Sequence, residues 1–417
     1  MSERHLQPVR ASRFWVPASF LMLFAFALTG FGILILSSAG AKAPSASSGP
    51  LHIMYAQLKY LPIALVAGLV AFRVDLERLR RWVWWIFGAV CVLLALVRVP
   101  GIGKSVKGSW RWIDLGFFNL QVSDLAKVAL VLALSHYLAN QQRVLRRVYF
   151  QWIDWSPKFP WLLRGKKTFP WVEPTTMAGW DFVQGFLFPA LIIGTVCGLI
   201  AIEPDLGTMA LCAAVSGVLL FVSGVRLSYL IPAGLAAVGV FSWVVYNWPN
   251  RLNRVLSFLD PEGTKSKEGY QLWQGMVAFA CGGTTGEGLG QGLQQRYFLP
   301  EAHTDFIFSI VGEELGFVAT AGVVACFFGM FLVVLFNLPK AHNLYQFNVC
   351  LGATLFIVLQ ALINMGVVTG LLPTKGMSLP FISYGGTNLV MMFVMLGLIL
   401  NCLSIWARPP ELRTEGA

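Results

Sequence analysis

Apolar runs long enough to cross a lipid bilayer follow one another from Phe14 to Trp406, and this repetition constrains the chain more than any motif does. Inside hydrocarbon every backbone N–H and C=O must be satisfied within the protein, which leaves helices or a closed barrel. The runs are about 20 residues long, the length of a spanning helix and roughly twice that of a tilted barrel strand. They predict an all-α, polytopic membrane protein with about ten spans, over residues 14–37, 56–73, 82–99, 121–139, 182–202, 207–224, 229–246, 306–337, 344–371 and 388–406. Only 12% of the residues are charged, against roughly 25% in soluble domains, so no separate soluble domain fits and 1–417 is read as one integral membrane unit. The seven cysteines lie mostly inside apolar runs, without the spacing of a zinc site or disulfide framework, and read as small core residues. The first run, behind Arg4, Arg10 and Arg13, continues to Leu36 without a cleavage site, and is expected to be a span rather than a removed signal peptide.

Lysine and arginine alternate in density from loop to loop, and the richer loops should face the cytoplasm. These are the N-terminal arm, Arg73 to Arg81, the basic and tryptophan-rich 140–180 loop, Arg226, Lys340 and the tail with Arg408 and Arg413. Both termini are therefore expected to be cytoplasmic. The net charge of +11 is a signal of orientation, and basic residues that flank spans argue against nucleic-acid binding. Two loops on the other side stand out. The 100–120 loop mixes glycines with Trp110, Trp112, Lys104, Lys107 and Arg111, a composition that suits an interfacial segment beside anionic headgroups or a plain aromatic anchor. The 247–304 loop is too long for a simple connection and should carry ordered structure of its own.

Several ionisable residues sit where charge is costly. In LPEAHTDFIFSIVGEELG (299–316), Asp305 stands at the outer start of a predicted span, either as its N-terminal cap or as a functional carboxylate. Next to it His303 reads as a hydrogen-bonding residue. Glu313 and Glu314 lie two turns deeper and need partners, for which Lys127 and Arg111 are the candidates. Lys127 also has Asp124 one turn before it, and a pair within one helix is the plainer account. Lys375, in the Pro- and Gly-broken stretch GLLPTKGMSLPFISYGG (370–386), is a candidate cation for an anionic ligand, or a lysine reaching out to the interface. Asp205, in EPDLGT (203–208), reads as a turn and helix cap. GEGLGQG (286–292) resembles a phosphate-cradling loop only by composition, since no strand precedes it. The residues alone thus point to an external polar site made of Asp305, Arg111 and Lys375.

GSWRWIDLG (108–116), PDLGT (204–208), GYQ (269–271), LPEAHTDFIFSIVGEELG, QALINMG (360–366) and LLPTKGMSLPFISYGG (371–386) together resemble the SEDS family, which includes FtsW, RodA and SpoVE. The resemblance spans nearly the whole chain, and its Pro-Thr-Lys-Gly and Glu-Ala-His-Thr-Asp runs are closer to the FtsW branch than to RodA. It implies a peptidoglycan glycosyltransferase of the cell inner (cytoplasmic) membrane that polymerises lipid II in septal wall synthesis. The expected partners are a class B penicillin-binding protein, an FtsI-like transpeptidase, and divisome regulatory proteins. Asp305 matches the essential acidic position and would be the general base. Lys375 and Arg111 would neutralise the donor diphosphate, with a divalent cation (Mg or Mn) as an optional helper, while Trp110, Trp112, Lys127, His303 and Ser383 fall at substrate-binding positions. Glu313, Glu314 and Asp205 would be structural or conformational. Departures from the family pattern are Glu203 for a usual Gln, Asp124 in Gln-Val-Ser-Asp, Gln295 for a usual Lys, and Thr387 and Asn388 after the Tyr-Gly-Gly. The competing accounts are a lipid II flippase, for which buried charges would serve, an elongation polymerase of the RodA kind, and a scaffold that only recruits its synthase.

Overall fold

The computed structural model describes residues 12–39, 51–99, 101, 103–106, 109–114, 116, 119–141, 182–266, 269–294, 298–300 and 302–407. In chain order its elements are α1 (Ser12–Ala39), α2 (His52–Arg73), α3 (Leu76–Leu96), β1 (Gly103–Val106), β2 (Ser109–Asp114), β3 (Asn119–Gln121), α4 (Val122–Asn140), α5 (Phe188–Ile202, entered through a π-helical turn at Val183–Leu187), α6 (Leu206–Val222), α7 (Leu227–Tyr246), α8 (Pro249–Leu259), α9 (Tyr270–Gly282), α10 (Ile307–Asn337), α11 (Leu344–Val368) and α12 (Gly386–Ala407). Each of the ten expected spans has its helix. Among the described residues, nine helices are long and apolar enough to cross a bilayer, and α6 is a shorter apolar helix of 17 residues. This is a multi-pass helical membrane protein. The basic 140–180 loop lies, beyond Gln141, outside the described residues.

A helix that is apolar on every side is either central or faces lipid. Here α4, α11 and α12 are buried over most of their length and form the centre, whereas none of the residues of α7 is buried. Lys127 on α4, Gln360 on α11 and Asn388 on α12 are linked by hydrogen bonds across this centre.

The 247–304 stretch carries helices of its own, as expected, whereas the strands of the 100–120 loop were not visible in the sequence. Within the 100–120 loop the described residues form a three-stranded antiparallel sheet in the order β1-β2-β3, with Trp112 opposite Gln121 and Lys104. Thr387 pins this sheet to the start of α12: its hydroxyl donates to the Asn119 carbonyl (2.8 Å) and accepts from the Gln121 N–H (3.1 Å). The 247–304 stretch holds an amphipathic helix, α8, and a second helix, α9, that runs alongside α10.

After α9 the glycine series turns against a break in α10, where Gly316 adopts φ +73°, a backbone conformation open to glycine. The amides of Glu287 and Gly288 donate to the carbonyls of Glu313 (3.0 Å) and Glu314 (2.9 Å), and Phe317 N–H donates to Gly283 (2.9 Å). Backbone that looked like a phosphate cradle is thus spent on clasping the kinked helix, which replaces the intrahelical bonds lost at the kink.

Candidate functional site

Four connections converge at one end of the bundle: strand β2, the short turn between α5 and α6, the turn before α10, and the non-helical run between α11 and α12. Alternation along β2 puts Arg111 on the face opposite Trp110 and Trp112. From there its Nε donates to the Glu203 carbonyl (3.0 Å) and its Nη2 to the Pro204 carbonyl (2.8 Å). Asp205 accepts from Lys375 Nζ through Oδ1 at 3.1 Å. The same carboxylate caps α6, accepting from the Thr208 hydroxyl at 2.8 Å and the Thr208 N–H at 3.3 Å. The Lys375 stem lies across Gly207, where any Cβ would strike it. One residue after Lys375, the Asp305 carboxylate rests against Gly376, and a Cβ there would come 2.5 Å from Asp305 Oδ2. Asp305, Lys375, Asp205 and Arg111 are thereby gathered in one place, from segments far apart in the chain.

The charges are unequal. Burial alone would raise the Asp205 pKa, but Lys375 and then Arg111 outweigh it and hold the group at about 2. Burial pushes the Lys375 ammonium below the ordinary lysine range; Asp205 opposes this, while Arg111 and Arg254 reinforce it. Both partners shift downward: Asp205 because two cations outweigh its burial, Lys375 because burial, helped by two further cations, outweighs its one carboxylate. Arg254, on α8, was not among the sequence candidates; it lies three residues after Arg251, the spacing that puts two cations on one face of a helix. The net result is a cation-rich basin with a single committed carboxylate, a suitable seat for a dianionic group.

Glu203 behaves differently. It is fully buried, and neither carboxyl oxygen has a hydrogen-bond partner. Burial, then the neighbouring Asp205, raises its pKa to about 8, with Arg111 and Arg98 pulling the other way. It is therefore protonated at neutral pH. Because the folded value exceeds the ordinary 4.5, stability should fall as pH rises from 4.5 to about 8. A Glu203→Gln chain lacks this penalty. Its thermal stability in detergent should exceed that of the wild type by a margin that grows between pH 5 and pH 8, and an unchanged pH slope would refute the assignment.

The other candidates settle as follows. Asp305 is not the helix cap: α10 starts at Ile307 with Phe306 in the cap position. Lys127 and Arg111 are not the partners of the deep glutamates. Lys127 Nζ donates to Asp124 (2.7 Å) and Gln360 (2.8 Å), because the intrahelical carboxylate is nearer than anything on α10. Glu313 instead accepts from the Gln294 N–H (2.8 Å), and Glu314 from the Ser38 hydroxyl (2.5 Å). The His303 carbonyl accepts from Tyr384 N–H (3.0 Å), and its ring lies 6.0 Å from that of Tyr384. Ser383 closes a turn by accepting from Leu379 N–H at 2.7 Å. Trp110 packs against the apolar core and Trp112 is half-buried. Among the described residues no group of three or more His, Cys, Asp or Glu side chains is placed to hold a metal.

The family profile described as "Cell cycle protein", FtsW/RodA/SpoVE, matches residues 18–164 and 172–405. The chain belongs to the FtsW/RodA/SpoVE family. Relatives named probable peptidoglycan glycosyltransferase FtsW include one from Trichlorobacter lovleyi, 34% identical over 91% of each chain, and one from Coxiella burnetii, 33% identical over 93% of this chain and 96% of that one. A solved chain from a peptidoglycan synthase complex, described for its coordination of polymerization and crosslinking, superposes with TM-score 0.70 at 25% identity, over 93% of this chain and 98% of that one. The rod shape determining protein RodA of Thermus thermophilus shares the fold, with TM-score 0.62 at 24% identity over 93% of this chain and 97% of that one. In this FtsW/RodA/SpoVE chain, the polar site is therefore built on the family's own scaffold.

Proposed function

We propose that this chain is a peptidoglycan glycosyltransferase that polymerises lipid II at the outer face of the cell inner membrane, with Asp305 as general base. The observation that carries this is the placement of one carboxylate, Asp305, against the residue that follows Lys375, beside a basin of cations. The chemistry needs that asymmetry. The acceptor sugar hydroxyl gives its proton to Asp305 as its oxygen attacks the donor's anomeric carbon, and the bond from that carbon to the lipid diphosphate breaks with its electron pair leaving on the diphosphate. A diphosphate is a good leaving group that requires cations rather than a general acid, so a second catalytic carboxylate is unnecessary. Lys375 and the unspent N–H groups of Arg111 supply that charge, with Arg254 nearby. Attack opposite the leaving group makes the transfer inverting.

Relatives named FtsW favour septal synthesis over elongation, and the solved synthase complex supports a class B penicillin-binding protein as partner. The transporter account loses its motive, because Lys127, Glu313 and Glu314 have fixed local partners. Purified chain with its partner synthase should convert labelled lipid II into glycan strands. Transbilayer movement of lipid II with no polymer formed, with or without the synthase, would favour the transporter instead.

A further inference from the structure

One carboxamide bridges the residue that carries the base and the run that carries Lys375. Asn364, on the central helix α11, is 1% exposed, and its Nδ2 donates both to the Asp305 carbonyl (2.8 Å) and to the Met377 carbonyl (2.6 Å). One turn earlier on the same face, Gln360 donates to the next carbonyl of that run, Ser378 (2.9 Å), and to Asn388 (3.0 Å), while accepting from Lys127. Two successive turns of a buried helix therefore hold two successive carbonyls of the non-helical run. Asn364 alone also holds the residue that carries the base.

Neither carbonyl belongs to a helix, and each would cost free energy if left unpaired at this depth. Asn364 Oδ1 has no hydrogen-bond partner, so the side chain is present for its two donors. Met377 follows Gly376, against which the Asp305 carboxylate rests, and Gly376 follows Lys375. The shared NH₂ group thus ties the backbone of Asp305 to the backbone two residues after Lys375.

We propose that Asn364 is a positioning residue that fixes the Asp305 carboxylate relative to the Lys375 loop. This rests on Asp305 being the base. Misplacement by about 1 Å costs about 100-fold in rate, so Asn364→Ala should lower kcat about 100-fold with KM for lipid II within about threefold. Asn364→Ser, which keeps one donor, should recover part of that loss. The assay uses the full chain with its partner synthase, alongside Asp305→Asn and thermal unfolding of each variant. Should the alanine variant not fold, the serine variant carries the test, with a smaller kcat loss and unchanged KM expected. A kcat near wild type in either folded variant, with Asp305→Asn inactive, overturns positioning and leaves the base in place. Parallel loss of kcat, KM and melting temperature also overturns it, as a purely structural role would give. An active Asp305→Asn chain removes the base reading itself, and the proposal with it.

Discussion

An Asp305→Asn chain is expected to fold, to keep its affinity for lipid II, and to lose polymerisation by about 10³-fold, the middle of the range for removing a general base. The substitution is nearly isosteric, so packing against Gly376 is kept and only proton acceptance is lost. Among the described residues, no neighbouring carboxylate is placed to take over. Asp205 is occupied by Lys375 and Thr208, and Glu203 is already protonated at neutral pH. Glu313 and Glu314 are held two turns deeper by Gln294 and Ser38. Initial rates of glycan formation should therefore collapse, while the melting temperature stays within a few degrees of wild type. A rate within tenfold of wild type would show that the base lies elsewhere.

The spans were legible because the bilayer permits so few answers: about 20 apolar residues admit one backbone solution. What escaped was backbone pairing across the sequence. The glycine series has no period that announces its partners, and only the kink at Gly316 shows why its amides are needed. At the site, cost singled out Asp305 and Lys375, which the structure brings close together, and depth singled out Glu313 and Glu314, which are buried. It did not identify partners: Lys127 has a carboxylate one turn away on its own helix, and that proximity wins over any distant glutamate. Asp205 was read as a cap, which it is, but the oxygen that accepts the Thr208 N–H also serves a lysine 170 residues away. Nothing local distinguishes a cap with one duty from a cap with two. Glu203 is in a turn that reads as exposed, yet it is sealed, with Arg111 hydrogen-bonded to its carbonyl.

That double duty makes Asp205 the position with the largest expected effect on stability. Asp205→Asn can still cap α6, since an amide oxygen accepts from Thr208 as a carboxylate does, so the change isolates the ion pair. Lys375 and Arg111 are then left beside Arg254 without a counter-charge, and breaking a buried pair from one side costs about 3 kcal/mol. The melting temperature in detergent should fall by several degrees. Since Asp205 is held at about 2, below its ordinary 3.8, its contribution is complete above pH 3.8 and is lost as pH falls towards 2. The deficit of Asp205→Asn should therefore be full at pH 7 and shrink below pH 4. Lys375→Met should be milder in stability, because Arg111 still faces Asp205, but severe in activity, because the proposed diphosphate site loses a cation. The double variant should regain stability relative to Asp205→Asn while remaining inactive, since it removes the stranded ammonium without restoring the cation. A double variant no more stable than Asp205→Asn would mean that the pair is incidental and that Asp205 acts only as a cap.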